Sequence, residues 1–580
     1  MVSSVGAAFR SMVDPERAAA YRAAGWWGDQ TVADLVARHG VERPDEPAVI
    51  TTEHRLSWAD YHQSSDRLGR CLVESGIEPG QRVAVLLPDG ASAHVVFLAN
   101  EKAGVVTVGI GARAGQSEIR HLLAHTGSVA LITHAEHRGA AMTELCRQLR
   151  AEGVPLQVHV VIPVFEADAT GPILVNGEEQ PHREDAAPEG FFDGRRLGPD
   201  DVFMINSTSG TTGMPKCVMH TQNSKFYMAR QAREVAHLGA DEVLVGMAPI
   251  PFGFGLFTTH FVTALLGAPA VVADRFTAET TLELIERERA TVLVCVSTQF
   301  KMMLQSPDMA TRDLSSLRVM FTGGEMIPYE AARQFEKETG AFVLNFYGSN
   351  ESGVATGTRV TDPEEVRLRT GGGSLSGTEV RLFDNGVDVT STGRGQPGSR
   401  GPALCLGYDN DPAATAELFT PDGFALHADI VTIDQRGHLT VVGRKSEIII
   451  RGGKNISAAV VEDAVSAHPL VGLAAAVPMP DPLFGERVCV FVELRSGGAL
   501  NLAELTDFLA GQGTSKENYP ERLVVLDQLP RSSGGKVAKG QLAAQARSLA
   551  DSFGSAEGEH QVPASDQSTH DQRGAQHVVD

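Results

Sequence analysis

The stretch Thr208-Ser209-Gly210-Thr211-Thr212-Gly213-Met214-Pro215-Lys216 concentrates the chemistry needed to hold a polyphosphate. Two glycines let backbone N–H groups approach phosphate oxygens closely. Three threonines and a serine supply hydroxyl donors, and Lys216 supplies a compact positive charge. The run follows an apolar segment at 202–205 that is predicted as a strand, which puts the loop at a strand's carboxyl end, where open α/β sheets bind ligands. The ordinary nucleotide P-loop, GxxxxGK[ST], has glycine directly before lysine. Met214 and Pro215 intervene here, so a P-loop NTPase is a poor match. The competing reading is a flexible Ser/Thr/Gly linker.

Further polar stretches follow in order: Thr322-Gly323-Gly324-Glu325, Tyr347-Gly348-Ser349-Asn350-Glu351, His427-Ala428-Asp429 with Gly443-Arg444-Lys445-Ser446, and Pro530-Arg531-Ser532-Ser533-Gly534-Gly535-Lys536. Together with the first loop they resemble the signature set of the adenylate-forming superfamily. That superfamily comprises acyl-CoA synthetases, peptide-synthetase adenylation domains and firefly-type luciferases, and the resemblance covers about residues 28–545. It implies that Thr208, Ser209, Gly210, Thr211, Thr212, Gly213 and Lys216 bind the phosphates of ATP. It further implies adenine contacts at Gly323, Gly324 and Glu325, stacking of Tyr347 on adenine beside Gly348, and Mg2+ on Glu351. A carboxylate beside ATP suits that ion, which takes hard oxygen ligands. Asn350 stands where a hydroxyl residue is usual, and its amide can still donate to a phosphate. Asp429 is implied to accept from the ribose hydroxyls, although the two residues before it depart from the family's Thr-Gly. Arg444 is implied to reach ribose or phosphate.

By the same resemblance Ser446 falls where the family has its hinge, and the implied motion swings the small domain between two half-reactions. Gly452 and Gly453, in Arg451-Gly452-Gly453-Lys454-Asn455-Ile456, resemble the segment that approaches coenzyme A in the second state. Lys536 is implied to be the lysine of adenylation. Its task is physical: a carboxylate attacking a phosphate brings two anions together, and a cation in a water-poor site offsets their repulsion. Phe252 and Phe254, in Pro249-Ile250-Pro251-Phe252-Gly253-Phe254-Gly255, stand where the family gates the acid, with Gly348 part of the same pocket. That segment has neither the aspartate that holds an amino acid's ammonium nor a His-Asn pair, so the pocket reads as apolar and fits a fatty, alicyclic or aromatic acid. Residues 21–27 and 513–520 resemble cyclohexanecarboxylate-CoA-ligase-like members. Taken singly, Glu351 also reads as solvated, Arg444 as a salt-bridge partner, Lys536 as a surface lysine, and the two phenylalanines as core.

The elements that must position these groups alternate. Segments 82–87, 129–133, 158–164, 291–296, 317–321 and 342–347 are predicted as strands. Helical periodicity covers 91–103, and Thr277 is a predicted N-cap for a helix to Arg289. The pattern predicts an α/β fold. A large N-terminal domain at 1–444 would hold parallel-rich sheets flanked by helices, plus a distorted barrel, with its first 20 or so residues irregular. After Gly443 a compact α+β pattern follows: a strand at 447–450, a helix at 458–467 and a strand at 488–494. This predicts a small mobile lid domain at 445–550, and the polar remainder, 551–580, reads as a disordered tail.

The 580 residues carry 50 basic and 72 acidic side chains, a formal charge of −22. That sign argues against nucleic acid or an anionic membrane as partner. Six singly placed cysteines form no CxxC pair, and no apolar run is long enough to span a bilayer, so a cytoplasmic protein is expected. The combined expectation is an AMP-forming acid:CoA ligase using ATP, Mg2+ and coenzyme A. A ligase that loads a carrier protein and a non-catalytic nucleotide-binding homologue are the alternatives.

Overall fold

The computed structural model describes residues 14–165, 171–181, 187–207, 215–324, 327–444, 447–451, 454–495, 498–512, 514–532 and 536–554. Two large sheets carry the first three quarters of the chain. One has eight strands, and five of them run parallel: Val158–Val161, Ala130–Thr133, Arg82–Leu86, Val106–Ile110 and Val202–Ser207. Cys217–Thr221 closes that edge as an antiparallel partner of Val202–Ser207. The other has nine strands around a parallel set of Phe342–Ser349, Val319–Gly323, Val292–Val294, Leu244–Gly246, Ala270–Val272 and Pro47–Ile50.

Both sheets are buried on both faces, which is why their strands are near-continuous Val, Ile and Leu runs. Side chains alternate strictly. Val83 and Val85 face a core shared by the two sheets, and Ala84 and Leu86 face the outer helices. Val292 and Val294 join the same shared core, and Leu293 and Cys295 point away from it. Helices Ala91–Ala103 and Gln222–Ala236 pass through this shared core, and every residue of Ala91–Ala103 is buried. The expected cap at Thr277 is present: its side chain accepts from the Thr280 N–H at the start of Ala278–Glu288.

A six-stranded, wholly antiparallel sheet stands where the barrel was expected. Its strand path is open and runs from Val387–Asp388 to Leu439–Arg444. A five-stranded sheet then begins with Ile448–Arg451 and Lys454–Ser457 and continues through Val471–Asp481, Gly485–Leu494 and Arg522–Leu526. It has its own apolar clusters, one around Val461, Val490 and Leu505 and one around Phe491, Leu529 and Leu542. The architecture is thus a large sheet-rich α/β region followed by a small α+β unit. The last described helix, Lys539–Gly554, carries backbone order a little beyond the expected edge at 550. No helix among the described residues is long and apolar enough to cross a membrane, and all six cysteines are buried and in no disulfide.

Candidate active site

The site is assembled where strands of three sheets end and where the small unit touches the large one. Thr208, Ser209, Gly210, Thr211, Thr212 and Gly213 lie outside the described residues, as do Glu325, Ser446, Gly452 and Gly453. The flanks of the loop are described: the fully buried strand Val202–Ser207 leads into it, and Lys216 leads out. The Lys216 ammonium lies 4.7 Å from the centroid of the Tyr408 ring. The Tyr408 hydroxyl donates to Glu351 Oε1 at 2.9 Å, so this tyrosine joins the loop lysine to the predicted metal carboxylate. Burial and the Glu351 charge both push the Tyr408 hydroxyl's pKa up, which keeps it a donor.

Asn350 and Glu351 sit on the turn between Phe342–Ser349 and Gly353–Gly357. The Asn350 amide donates to Asn206 Oδ1 at 2.8 Å, so the donor expected for a phosphate faces a side chain from the strand before the loop. His220 Nε2 reaches Asn206 Oδ1 at 2.9 Å and Asn350 Oδ1 at 3.2 Å. Both partners are acceptors, so Nε2 carries the proton. Burial, then the Lys225 charge, hold His220 well below the ordinary imidazole range and therefore neutral. Gly348 is forced by space, since a Cβ there would lie 1.9 Å from the Gly353 carbonyl oxygen.

Tyr347 and Asp429 meet directly: the Tyr347 hydroxyl donates to Asp429 Oδ2 at 2.9 Å. The Tyr347 ring lies on His427, with centroids 5.2 Å apart and planes 16° from parallel. His427, one of the two departures from the family's triplet, is therefore a packing partner of the tyrosine. Its Nε2 is 3.0 Å from Ser399 Oγ. Arg444 pairs with Asp429 across neighbouring antiparallel strands.

Gly323 ends the strand Val319–Gly323, and a Cβ there would lie 2.5 Å from the Phe346 carbonyl oxygen. Gly324 follows in a left-handed conformation (φ 78°). From the small unit, Lys536 Nζ donates to the Gly324 carbonyl at 2.8 Å. The lysine read from the chain's far end thus reaches the turn read as adenine-binding. Phe252 caps, and Phe254 lies within, a helix that starts at Gly253, where a Cβ would meet Asn350 Oδ1 at 3.2 Å. The gate candidates and the Glu351 turn are therefore neighbours. That helix passes into a π turn, Phe257–Val262, a distortion common at functional sites.

Two matches decide what this arrangement belongs to. The AMP-binding enzyme family model matches residues 36–409, and the AMP-binding enzyme C-terminal domain model matches residues 460–536. The chain belongs to the AMP-binding enzyme family. It is an adenylate-forming acid ligase, and ATP is the substrate common to AMP-binding ligases. A medium-chain fatty-acid–CoA ligase of Escherichia coli (strain K12) is 31% identical over 90% of this chain and 92% of the relative. A salicyl-AMP ligase / salicyl-S-ArCP synthetase of Mycobacterium tuberculosis is 30% identical over 90% of this chain and 92% of the relative. The crystal structure of ATP-bound MatB from Rhodopseudomonas palustris superposes with a TM-score of 0.76 at 26% identity, covering 89% of this chain and 99% of that one.

In this AMP-binding enzyme, Tyr408, His220, Asn206 and Lys225 were not singled out from the sequence. Tyr408 carries no signal in Leu406-Gly407-Tyr408-Asp409. Lys225 carries a faint one: a charge directly before Phe226-Tyr227-Met228-Ala229, on a helix whose positions are almost all buried.

Proposed function

We propose that the chain is an ATP-dependent carboxylic acid:CoA ligase that works through an acyl-AMP intermediate on an apolar fatty, alicyclic or aromatic acid. The observation that carries this reading is the contact of Lys536 with the Gly324 carbonyl. It puts a cation of the small unit on the edge of the large region to which Lys216, Glu351, Tyr347 and Asp429 also belong.

In the first step a carboxylate oxygen attacks the α-phosphorus of ATP. An acyl–phosphate bond forms, the bond to the β-phosphate oxygen breaks, and pyrophosphate leaves. Lys216 and Lys536 hold positive charge where negative charge gathers. Asp429 and Arg444 hold the ribose, the Tyr347 ring supports the base beside Gly323, Gly324 and Glu325, and Thr208–Gly213 cradle the phosphates. Glu351 suits magnesium: Tyr408 occupies Oε1, Oε2 accepts no hydrogen bond among the described residues, and one carboxylate plus phosphates is an ordinary set for that ion. Magnesium, when bound, would spread the charge of the triphosphate. Phe252, Phe254 and Gly348 wall the acid and keep water from the anhydride.

In the second step a thiol sulfur attacks the acyl carbonyl, the anhydride bond to AMP breaks, and the thiol proton passes to solvent. The division at 444/445, with Ser446 as hinge and Gly452–Gly453 approaching CoA, belongs to this reading. CoA is favoured as acceptor by the 31% identity to a fatty-acid–CoA ligase. The salicyl-S-ArCP synthetase relative favours the second reading, a carrier-protein phosphopantetheine as acceptor.

Acid-dependent exchange of labelled pyrophosphate into ATP tests the first step, with hexanoate, cyclohexanecarboxylate, benzoate and salicylate as acids. Exchange with none of them overturns it. CoA and a phosphopantetheinylated carrier protein, offered separately to the enzyme, decide the second.

A further inference from the structure

Two lysines are buried among the described residues, and the second is unexplained by the fold. Lys102 is 3% exposed, and its ammonium donates to Asp66 Oδ1 at 2.7 Å, Ser65 Oγ at 2.8 Å and the His62 carbonyl at 3.1 Å. Lys225 is 1% exposed and, among the described residues, has no hydrogen-bond acceptor and no ion-pair partner. Burial draws its pKa down, Cys405 and then Glu351 oppose that shift, and its own charge is felt by His220. Of the groups around it, Glu351 Oε1 is engaged by Tyr408, His220 Nε2 by the two asparagines and the Cys405 sulfur by the Gly407 N–H at 3.3 Å, while His220 Nδ1 is buried and accepts from none of the described residues.

Its place on the helix shows what it faces. Met228, one turn further along Gln222–Ala236, is buried, and its sulfur would lie 3.2 Å from a Cβ on Gly353. Lys225 and Met228 therefore look onto the Glu351–Gly353 side of the turn that also carries Gly348. That is the junction between the phosphate side and the Phe252–Phe254 side. An ammonium without an acceptor in a dry interior is strongly unfavourable, and such groups persist where an anion arrives. The reaction brings two anions, a triphosphate and a carboxylate. The triphosphate has Lys216 and Lys536 on its side. The next residue on Lys225's face is the apolar Met228, which suits the body of an organic acid.

We propose that Lys225 contacts the substrate, its ammonium receiving the carboxylate of the acid before that carboxylate attacks ATP. The assignment rests on the adenylation reading and adds to it a cation committed to the acid. It makes the ionised carboxylate, and not its uncharged amide, the species that binds.

The test compares the full-length parent with Lys225→Met and Lys225→Ala, using pyrophosphate exchange with the four acids named above. In Lys225→Met the KM for the acid rises roughly 30-fold or more, as for removal of one partner of a buried charge pair, and the KM for ATP stays within about twofold. In Lys225→Ala, added ethylammonium restores part of the exchange, which a role in packing alone would not allow. Calorimetric titration of the acid into the parent without ATP gives binding that benzamide does not compete with when benzoate is the acid. Parent exchange with an unaltered acid KM in Lys225→Met overturns the assignment alone, and so does a rise in the ATP KM instead, which would place a phosphate there. No exchange in the parent with any acid overturns the adenylation reading and the assignment with it.

Discussion

Lys102 and Lys225 stand on neighbouring helices of one core, almost equally hidden from water, and differ in what surrounds the ammonium. Around Lys102 a carboxylate, a hydroxyl and a carbonyl are arranged before anything binds. Around Lys225 no group among the described residues accepts from it: Glu351 Oε1 is taken by Tyr408, His220 Nε2 by the two asparagines and the Cys405 sulfur by the Gly407 N–H. Burial draws both ammonium groups' pKa down, to about 8 for Lys102 and about 7 for Lys225, with Asp66 opposing the shift in the first and Cys405, then Glu351, opposing it in the second. Burial alone therefore does not separate a structural charge from a functional one. The number of partners does. A saturated ion is part of the fold's stability, whereas an unsaturated one is a demand for a ligand.

The sharpest way to break this contrast is to remove each charge and measure unfolding in guanidinium chloride. Lys102→Met leaves Asp66 buried without its cation and is expected to lower the unfolding free energy by ~3–5 kcal/mol. A loss below ~1 kcal/mol would show that Lys102 is no more integral to the fold than Lys225. Next in size is Lys536→Ala, a cation at the domain edge rather than in the core. Acid-dependent exchange should fall roughly 100-fold, ~2.7 kcal/mol, with the denaturation midpoint unchanged. Exchange that persists undiminished removes Lys536 from the first step. Tyr408→Phe keeps the ring beside Lys216 and removes the hydroxyl on Glu351. A fall of about tenfold in kcat/KM for ATP is expected, in line with loss of one hydrogen bond to a charged group, and steady-state kinetics at saturating acid would read it. The smallest effect sharpens the contrast from the other side: Lys225→Met should change stability by less than ~1 kcal/mol or raise it, because no hydrogen bond is lost and desolvation of the charge is relieved.

Much of the architecture was legible because its causes are local and periodic. The expected strand at 82–87 is Arg82–Leu86, the expected strand at 342–347 is Phe342–Ser349, and Thr277 caps its helix, since buried parallel strands and caps leave short-range patterns. Boundaries drifted where an apolar run continued past its hydrogen-bonding partner. The run at 158–164 pairs only over Val158–Val161, and the strand expected at 317–321 sits at Val319–Gly323. At the site, the sequence motifs identified side chains but not their relations. That Tyr347 bonds Asp429, or that His427 lies beneath Tyr347, depends on how two different sheets meet, between segments some eighty residues apart. Tyr408 was invisible because one tyrosine in a loop carries no spacing. Asn350 was read as a phosphate donor because its partner, Asn206, comes from the other large sheet. Lys225 gave little warning, since it stands between the polar Thr221-Gln222-Asn223-Ser224 and the apolar Phe226-Tyr227-Met228-Ala229, and only the burial of the whole helix start shows that its charge is enclosed.

Cys405 sits against Glu351, its N–H on the Glu351 carbonyl and its thiol pushed up to about 12 by burial. An acyl-AMP is an acylating agent, and an accessible thiolate within its reach would be acylated in its place. By keeping this sulfur protonated in a buried wall, the fold disarms a nucleophile of its own in an enzyme that activates acids.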